Sequence, residues 1–334
     1  MLNFGIIGTN WITHQFVEAA IASKEYQLKA VYSRSKDKAD TFAKAYDNHE
    51  EIILATELEA FYELPELDVI YIASPNSLHY EQSKAALNAG KHVISEKPAV
   101  STLAQLEELL ALAEEKGLFF FEAARHIHED NFAKVAELVK NREDILGANL
   151  TFMKYSSRYD ALLRGENPNI FSPKFSGGAL MDLGVYLVYA AVAWFGVPNE
   201  TFYFHQKLPT GVDGLGTMIF RYEGFDVTLL TGKNTDSFLP SEIYLSNETI
   251  VLDGISSIKD ITINRRGEII DASVTKEIPQ PMMEEAIAFS KVINHPDSQT
   301  EQQHYQDWNK LAKEVHGLME SIRKESGIIF DADK

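Results

Sequence analysis

Cysteine is missing from all 334 residues, which excludes a disulfide framework, a thiolate zinc site and a cysteine nucleophile. Positive charge is scarce. Lys and Arg total 31 against 49 Asp and Glu, a formal net charge of −18. A nucleic-acid surface needs a basic face to neutralise phosphates, and docking on anionic lipid needs the same, so the composition argues against both. The first residues, Met1-Leu2-Asn3-Phe4-Gly5, lack the basic segment and cleavage site of a secretory signal, and the chain reads as cytoplasmic. One stretch, 178–196, is apolar enough to invite a membrane reading. It carries Asp182 and several glycines, so a buried helix with one functional acid is expected instead. Internal repeats and low-complexity segments are also absent.

What is present is globular: 45% apolar and 24% charged residues, at a length that suggests two domains. Phe4-Gly5-Ile6-Ile7-Gly8 is a short apolar run ending in glycine, and Ile12, Phe16, Ala19 and Ala20 follow at helical spacing. Strand, tight turn and helix form the setting in which a dinucleotide fingerprint has meaning. The fingerprint itself is worn, because Gly8-Thr9-Asn10-Trp11-Ile12-Thr13 keeps only the first of three glycines. Asn10 tolerates left-handed backbone, yet its side chain is expected to crowd a pyrophosphate, and Thr13 replaces the small residue that lets helix and strand pack closely.

A second strand, residues 27–32, ends in Ser33-Arg34-Ser35. An acid here would accept from the ribose hydroxyls and select NAD. Ser33 and Arg34, with Lys36 and Lys38 behind them, offer donors and positive charge to a ribose phosphate instead, which points to NADP with NAD as the alternative. A solvated basic loop explains the same residues without a ligand. Further on, the buried strand 68–73 ends in Ser74-Pro75-Asn76, and His79 opens a helix. Val93 and Ile94 form another strand, which runs straight into Glu96-Lys97-Pro98. Ligands bind at the carboxyl ends of such strands, and a proline restricts the residue before it, so Lys97 is expected to be held in place. Alternating strands and helices to about residue 122 predict a doubly wound parallel sheet.

Beyond residue 123 the pattern changes. An extended stretch at 148–157, an apolar helix at 179–195 and six strand-like runs between 202 and 263 predict an α+β domain with an open, mainly antiparallel sheet. Two helices, 282–293 and 303–324, and a last short strand, 328–330, complete it. The expected division is 1–123 and 124–334, with the last helices free to pack back on the first domain. His126-Ile127-His128-Glu129-Asp130 looks metal-like, but two histidines at i, i+2 point apart on a helix and no third ligand is identifiable, so no metal is expected.

Four features together resemble the glucose–fructose oxidoreductase / inositol dehydrogenase (Gfo/Idh/MocA) family over essentially the whole chain. They are Gly8 after the first strand; Ile72-Ala73-Ser74-Pro75-Asn76 with His79; Glu96-Lys97-Pro98; and Gly177-Gly178-Ala179-Leu180-Met181-Asp182-Leu183-Gly184-Val185-Tyr186. Tyrosine at 186 is most similar to the dihydrodiol dehydrogenase branch, which uses NADP. The resemblance implies an N-terminal Rossmann domain, a C-terminal sheet used for homodimer or higher contacts, and hydride transfer between nicotinamide and a sugar, polyol or cyclic diol. Cofactor contacts are then expected from Gly8, Thr9, Asn10, Trp11, Ile12, Ser33, Arg34, Lys38, Ser74, Pro75, Asn76, His79, Glu96, Lys97 and Arg125.

Asp182 and Tyr186 are four apart and share one helix face. Hydride transfer at a carbinol carbon needs a proton moved on or off the oxygen, and a nearby lysine lowers a tyrosine pKa of about 10. Tyr186 is therefore assigned the proton, Lys97 the developing charge on oxygen, and Asp182 the orientation of Lys97 or of a substrate hydroxyl. Sequence does not separate Tyr186 from Lys97 as the proton carrier. Tyr155 and Arg158 are candidate substrate contacts. A non-catalytic dinucleotide-binding regulator on the same fold is the competing reading, which Asn10 and Thr13 favour and the intact Lys97, Asp182 and Tyr186 oppose.

Overall fold

A computed structural model describes residues 1–274 and 280–334. The chain forms two compact units. The first begins β1 (Leu2–Ile7), α1 (Trp11–Ala22), β2 (Tyr26–Tyr32), α2 (Lys36–Ala43), β3 (Ile53–Ala55) and α3 (Leu58–Tyr62). It continues β4 (Val69–Ile72), α4 (His79–Asn88), β5 (His92–Glu96), α5 (Leu103–Glu115) and β6 (Phe120–Ala123). The strands pair in parallel in the order β3-β2-β1-β4-β5-β6. Their near-continuous apolar runs are those of strands covered on both faces, and every residue of β4 is buried. Phe16 of α1 stacks on Tyr71 of β4 with centroids 3.9 Å apart, which seats the first helix on the middle of the sheet.

The second unit holds α6 (Asp130–Val139), β7 (Ile145–Met153), α7 (Tyr159–Leu163), α8 (Val185–Phe195), β8 (Glu200–Lys207), β9 (Asp213–Arg221) and β10 (Asp226–Gly232). It adds β11 (Ser241–Leu245), β12 (Thr249–Leu252), β13 (Asp260–Arg265) and β14 (Glu268–Val274). The sheet order is β14-β13-β12-β11-β7-β10-β9-β8, antiparallel except where β10 runs parallel to β7. α8 lies in the core of this unit. The stretch Pro173–Phe195 is long and apolar enough for a membrane span, but most of it is buried inside the fold, as expected of a core helix around Asp182.

Of the last two helices, α9 (Met283–Asn294) belongs to the first unit. Its Phe289 stacks on Phe121 at 4.6 Å, and the Tyr26 hydroxyl donates to the Ala286 carbonyl at 2.9 Å. α10 (Gln299–Glu325) counts with the first unit through Asn309 and with the second from Lys310.

Two local expectations fail. Residues 328–330 are not a strand. Ile328 and Phe330 are buried as a strand pattern would have them, but the Ile328 carbonyl accepts from the Arg323 guanidinium at 2.8 Å instead of from a neighbouring strand. Conversely, β14 was not anticipated, because an edge strand with Ile269 and Ile270 exposed and Glu268 and Asp271 beside them lacks a buried face to reveal it.

Candidate active site

In the first unit the strand ends β1, β4 and β5 gather one set of expected residues. Gly8 has φ +106°, and a Cβ there would stand 2.6 Å from the Ala73 carbonyl oxygen, so the turn after β1 requires glycine. Gly8→Ala should therefore lower the melting temperature and weaken NADPH binding together, measured by thermal denaturation and fluorescence titration. Asn10, a residue type that tolerates left-handed backbone, is extended here, with φ and ψ of −94° and 178°. Its side chain folds back as the N-cap of α1, accepting from the Ile12 and Thr13 N–H groups at 3.1 and 3.3 Å, while Nδ2 donates to the Ala73 carbonyl at 2.9 Å. The amide is thus tied down at the helix N-terminus, bridging the start of α1 to the end of β4. Thr13 is buried with its hydroxyl on Asn10 Oδ1 at 3.4 Å, which satisfies the group that replaces the small residue.

These residues fit a dinucleotide. The β1–α1 turn leaves the N–H groups of Thr9, Asn10 and Trp11 without partners among the described residues, and backbone N–H groups at a helix start suit phosphate. Trp11 stands 69% exposed beside them. At the end of β2 the Ser33 hydroxyl accepts from the Ser35 N–H at 3.3 Å, while Ser35 caps α2 through the Lys38 N–H. Arg34 and Lys38 are exposed and make no side-chain ion pair among the described residues.

Ser74 and Lys97 sit on loops joined by one histidine. The buried His79 places Nε2 2.7 Å from the Ser74 carbonyl and Nδ1 3.0 Å from the Pro98 carbonyl. Burial pushes its pKa down, against the pull of the two carbonyls. His79 thus acts as a strut between the β4 and β5 loops. Ser74 also donates its hydroxyl to Gln82 at 2.6 Å, and Pro75 and Asn76 lead from it into a single helical turn, Asn76–Leu78. Glu96 is buried, accepting from the Tyr71 hydroxyl at 2.6 Å and from the Lys97 N–H at 3.3 Å, so it fixes the main chain that carries Lys97.

In the second unit, Asp182 lies in a π-helical turn, Leu180–Gly184, that leads into α8. Tyr186 is the second residue of that helix. The Tyr186 ring packs edge-on against Phe152 at 5.4 Å and tilted against His126 at 4.7 Å. His126 Nε2 meets the Tyr186 carbonyl at 3.2 Å, so this histidine supports the helix. His128 is half-buried with its Nε2 shut off from solvent, and that desolvation pushes its imidazole down to about 3. Both follow Arg125 in a single 3-10 helical turn, Arg125–His128. Among the described residues no cluster of His, Asp and Glu is arranged to hold a metal. The Arg125 Nε is buried without a partner among the described residues.

Sequence reasoning missed two residues here. Lys233, just past β10, forms an ion pair with Asp182. Asp213 at the start of β9 accepts from the Leu180 N–H and the Tyr203 hydroxyl, both at 2.6 Å, and burial raises its pKa. Gly178 leaves room for that carboxylate, since a Cβ would overlap it. Neither residue carries a motif, and the groups they meet in the π-helical turn lie 51 and 33 residues away, so no local signal marks them.

Tyr155 donates its hydroxyl to Asp160 at 2.6 Å, a bond that raises its pKa. Arg158 is exposed, with its guanidinium unpaired among the described residues. The segment they occupy is tied to Lys233: the Ser156 N–H donates to the Lys233 carbonyl at 2.8 Å, and Tyr159 packs on Phe171 at 5.7 Å, whose ring faces the Lys233 ammonium at 5.9 Å.

Comparison with known proteins agrees with this layout. Residues 2–124 match the profile of the oxidoreductase family with NAD-binding Rossmann fold, and 132–251 match the GFO/IDH/MocA C-terminal domain. The scyllo-inositol 2-dehydrogenase (NADP(+)) IolU of Bacillus subtilis is 36% identical over all of both chains. The trans-1,2-dihydrobenzene-1,2-diol dehydrogenase of Mus musculus is 26% identical over all of this chain and 99% of its own. The 3-ketoreductase KijD10 of Actinomadura kijaniata, solved with NADP and TDP-benzene, is 22% identical with a TM-score of 0.84 over 97% of each chain, and shares the fold. With a glycine turn after β1, an asparagine-capped first helix, and an aspartate and a tyrosine at the head of a buried helix, the chain belongs to the Gfo/Idh/MocA family and is an NAD(P)-dependent oxidoreductase.

Proposed function

We propose that the protein transfers a hydride between NADP and a CH–OH group of a polyol, sugar or cyclic diol, with Tyr186, Lys97 and Asp182 as its acid–base set. Support comes from one observation above all: Asp182 and Tyr186 stand at the start of a buried helix whose charge is anchored by Lys233, an arrangement a purely structural helix does not need. NADP supplies the hydride chemistry when bound. Tyr186 gives or takes the proton at its phenolic oxygen. Lys97 hydrogen-bonds the substrate oxygen and stabilises the charge that develops there. Tyr155 and Arg158 contact the substrate. The 36%-identical relative acts on scyllo-inositol with NADP(+), so scyllo-inositol is the first substrate to test, alongside D-xylose and a cyclic diol. Absorbance of NADPH formed on mixing NADP+ with this panel reads the reaction; absence of turnover with every member would overturn the assignment in favour of a non-catalytic sensor.

Cofactor preference rests on the β2 end, where Arg34 is exposed and unpaired among the described residues and Ser33 stands in place of an acid. Arg34→Ala should weaken NADPH binding while leaving NADH binding nearly unchanged, as seen by fluorescence titration of each. Equal loss for both would remove the role given to that loop.

A homodimer through the second-unit sheet is proposed from its apolar outward residues. Phe202 and Phe204 are 42% and 63% exposed on β8, and alternation puts them on the face opposite Tyr203, whose hydroxyl reaches the buried Asp213. Light scattering of Phe204→Glu against the parent chain tests it.

A further inference from the structure

We propose that Lys233 is a positioning residue of the acid–base site, holding the Asp182 carboxylate and cancelling its charge so that Tyr186 can give up its proton. This inference rests on the assignment of Tyr186 and Asp182 made above. Lys233 is only 5% exposed. Its main chain is pinned on both sides, its N–H donating to the Gly214 carbonyl at 2.7 Å and its carbonyl accepting from the Ser156 N–H at 2.8 Å. The side chain runs beside the Phe171 ring and ends on Asp182.

Burying an ammonium is unfavourable unless it is paired, and an apolar residue of the same size commonly serves a core as well or better. Packing between β10 and the π-helical turn therefore gives no reason for a lysine at this position. The chemistry of Asp182 does. A lone carboxylate one helical turn from a phenol raises the phenol's pKa and opposes its ionisation. Paired with Lys233, the carboxylate keeps its hydrogen-bonding oxygens but loses most of its field.

The same strands fix the geometry. β9 supplies Asp213, which accepts from the Leu180 N–H at the head of the π-helical turn, and the residue after β10 supplies Lys233 to the turn's own acid. The Lys233 N–H on Gly214 locks these two supports to each other. The turn thus cannot slide along the sheet without breaking both. The titratable side chains that this unit sets against the turn and the first turn of α8 include Lys233 and Asp213 from the sheet and His126 from the Arg125–His128 turn.

The test uses the full-length enzyme with NADP+ and scyllo-inositol, or whichever member of the panel is oxidised, comparing wild type, Lys233→Met, Lys233→Arg, Asp182→Asn, the Lys233→Met/Asp182→Asn double variant and Tyr186→Phe. For oxidation, the rate rises with pH as the proton-accepting group ionises. Lys233→Met should lower kcat about tenfold or more and move that rise upward by about one pH unit, since one unit corresponds to a modest change in local charge. Lys233→Arg should largely retain the wild-type profile, and the double variant should bring the rise back toward wild type. NADPH affinity should change less than about twofold in all of them, an interaction with the cofactor being outside the proposed role. A purely structural lysine would instead scale activity equally at every pH, with no shift of the rise, which would overturn the proposal. Thermal denaturation adds a readout independent of turnover: the double variant should melt above Lys233→Met, whereas additive losses would show that no pair exists. If Tyr186→Phe remains fully active, the parent assignment falls; if it is inactive and the Lys233→Met profile is unshifted, only the present inference falls.

Discussion

Tyr186→Phe should lower kcat by about 10²–10⁴-fold while leaving NADPH affinity within about twofold, because general acid–base help of that size is what a positioned phenol supplies. The ring itself is retained, with its packing against Phe152 and His126, so the loss is that of one hydroxyl and not of the helix. Lys97→Ala should cost a comparable factor, for a different reason: on the proposed mechanism it removes the cation that would stabilise charge on the reacting oxygen. The two variants separate the roles that sequence leaves joined. If Tyr186 carries the proton, the phenylalanine variant loses the pH-dependence of the rate, while the Lys97→Ala enzyme keeps a weakened dependence displaced to higher pH. Steady-state rates of NADPH formation over a range of pH read both. Full activity in either variant would remove that residue from the mechanism.

Asp333→Ala should destabilise the second unit by about 3–5 kcal/mol, the usual effect of stripping one partner from a buried ion pair. Arg323 is 1% exposed. Its guanidinium meets the two Asp333 oxygens at 2.5 and 2.7 Å, lies over the Phe330 ring at 4.1 Å and donates to the Ile328 carbonyl. The end of the chain is therefore latched to α10 through one buried cation. Burial pushes the Asp333 carboxyl up, but the Arg323 guanidinium and the Phe330 N–H outweigh it and hold it below its ordinary value. A carboxyl lowered on folding contributes stability that is fully present above its unfolded pKa of about 3.9 and is lost as pH falls through the lower, folded value. Wild type should thus lose stability below about pH 4 more steeply than Asp333→Asn, whose latch carries no titrating group. Urea melts at neutral and acid pH check the sign; parallel pH curves for the two proteins would show that the pair contributes nothing.

Much of the first unit is legible from local pattern. The buried runs at β1, β4 and β5 and the amphipathic helices between them fix a parallel sheet whose strand ends must gather Gly8, Ser74 and Lys97. Asn10 shows where local reading stops. Its residue type tolerates left-handed backbone, yet the backbone is extended and the side chain is committed to a cap. The amide closes the helix N-terminus and reaches the end of β4 because Ala73, 63 residues on, offers a carbonyl there. His79 is similar: its place at a helix start was visible, but not that its two nitrogens would join the loops after β4 and β5. The strand expected at 328–330 failed because alternating burial says nothing about which group satisfies the backbone, and a guanidinium did so.

The order of residues alone determined the family and the sheet-forming halves, and singled out Lys97, Asp182 and Tyr186 as candidates, since each depends on short-range periodicity or on a contiguous motif. Tertiary structure alone decided that Lys233 answers Asp182, that Asp213 caps the turn carrying it, and that Arg323 closes the chain end. These are charges whose partners are chosen by strand register and burial; nothing along the chain can fix them, because a buried ion finds its counter-ion only once the fold has excluded water from both.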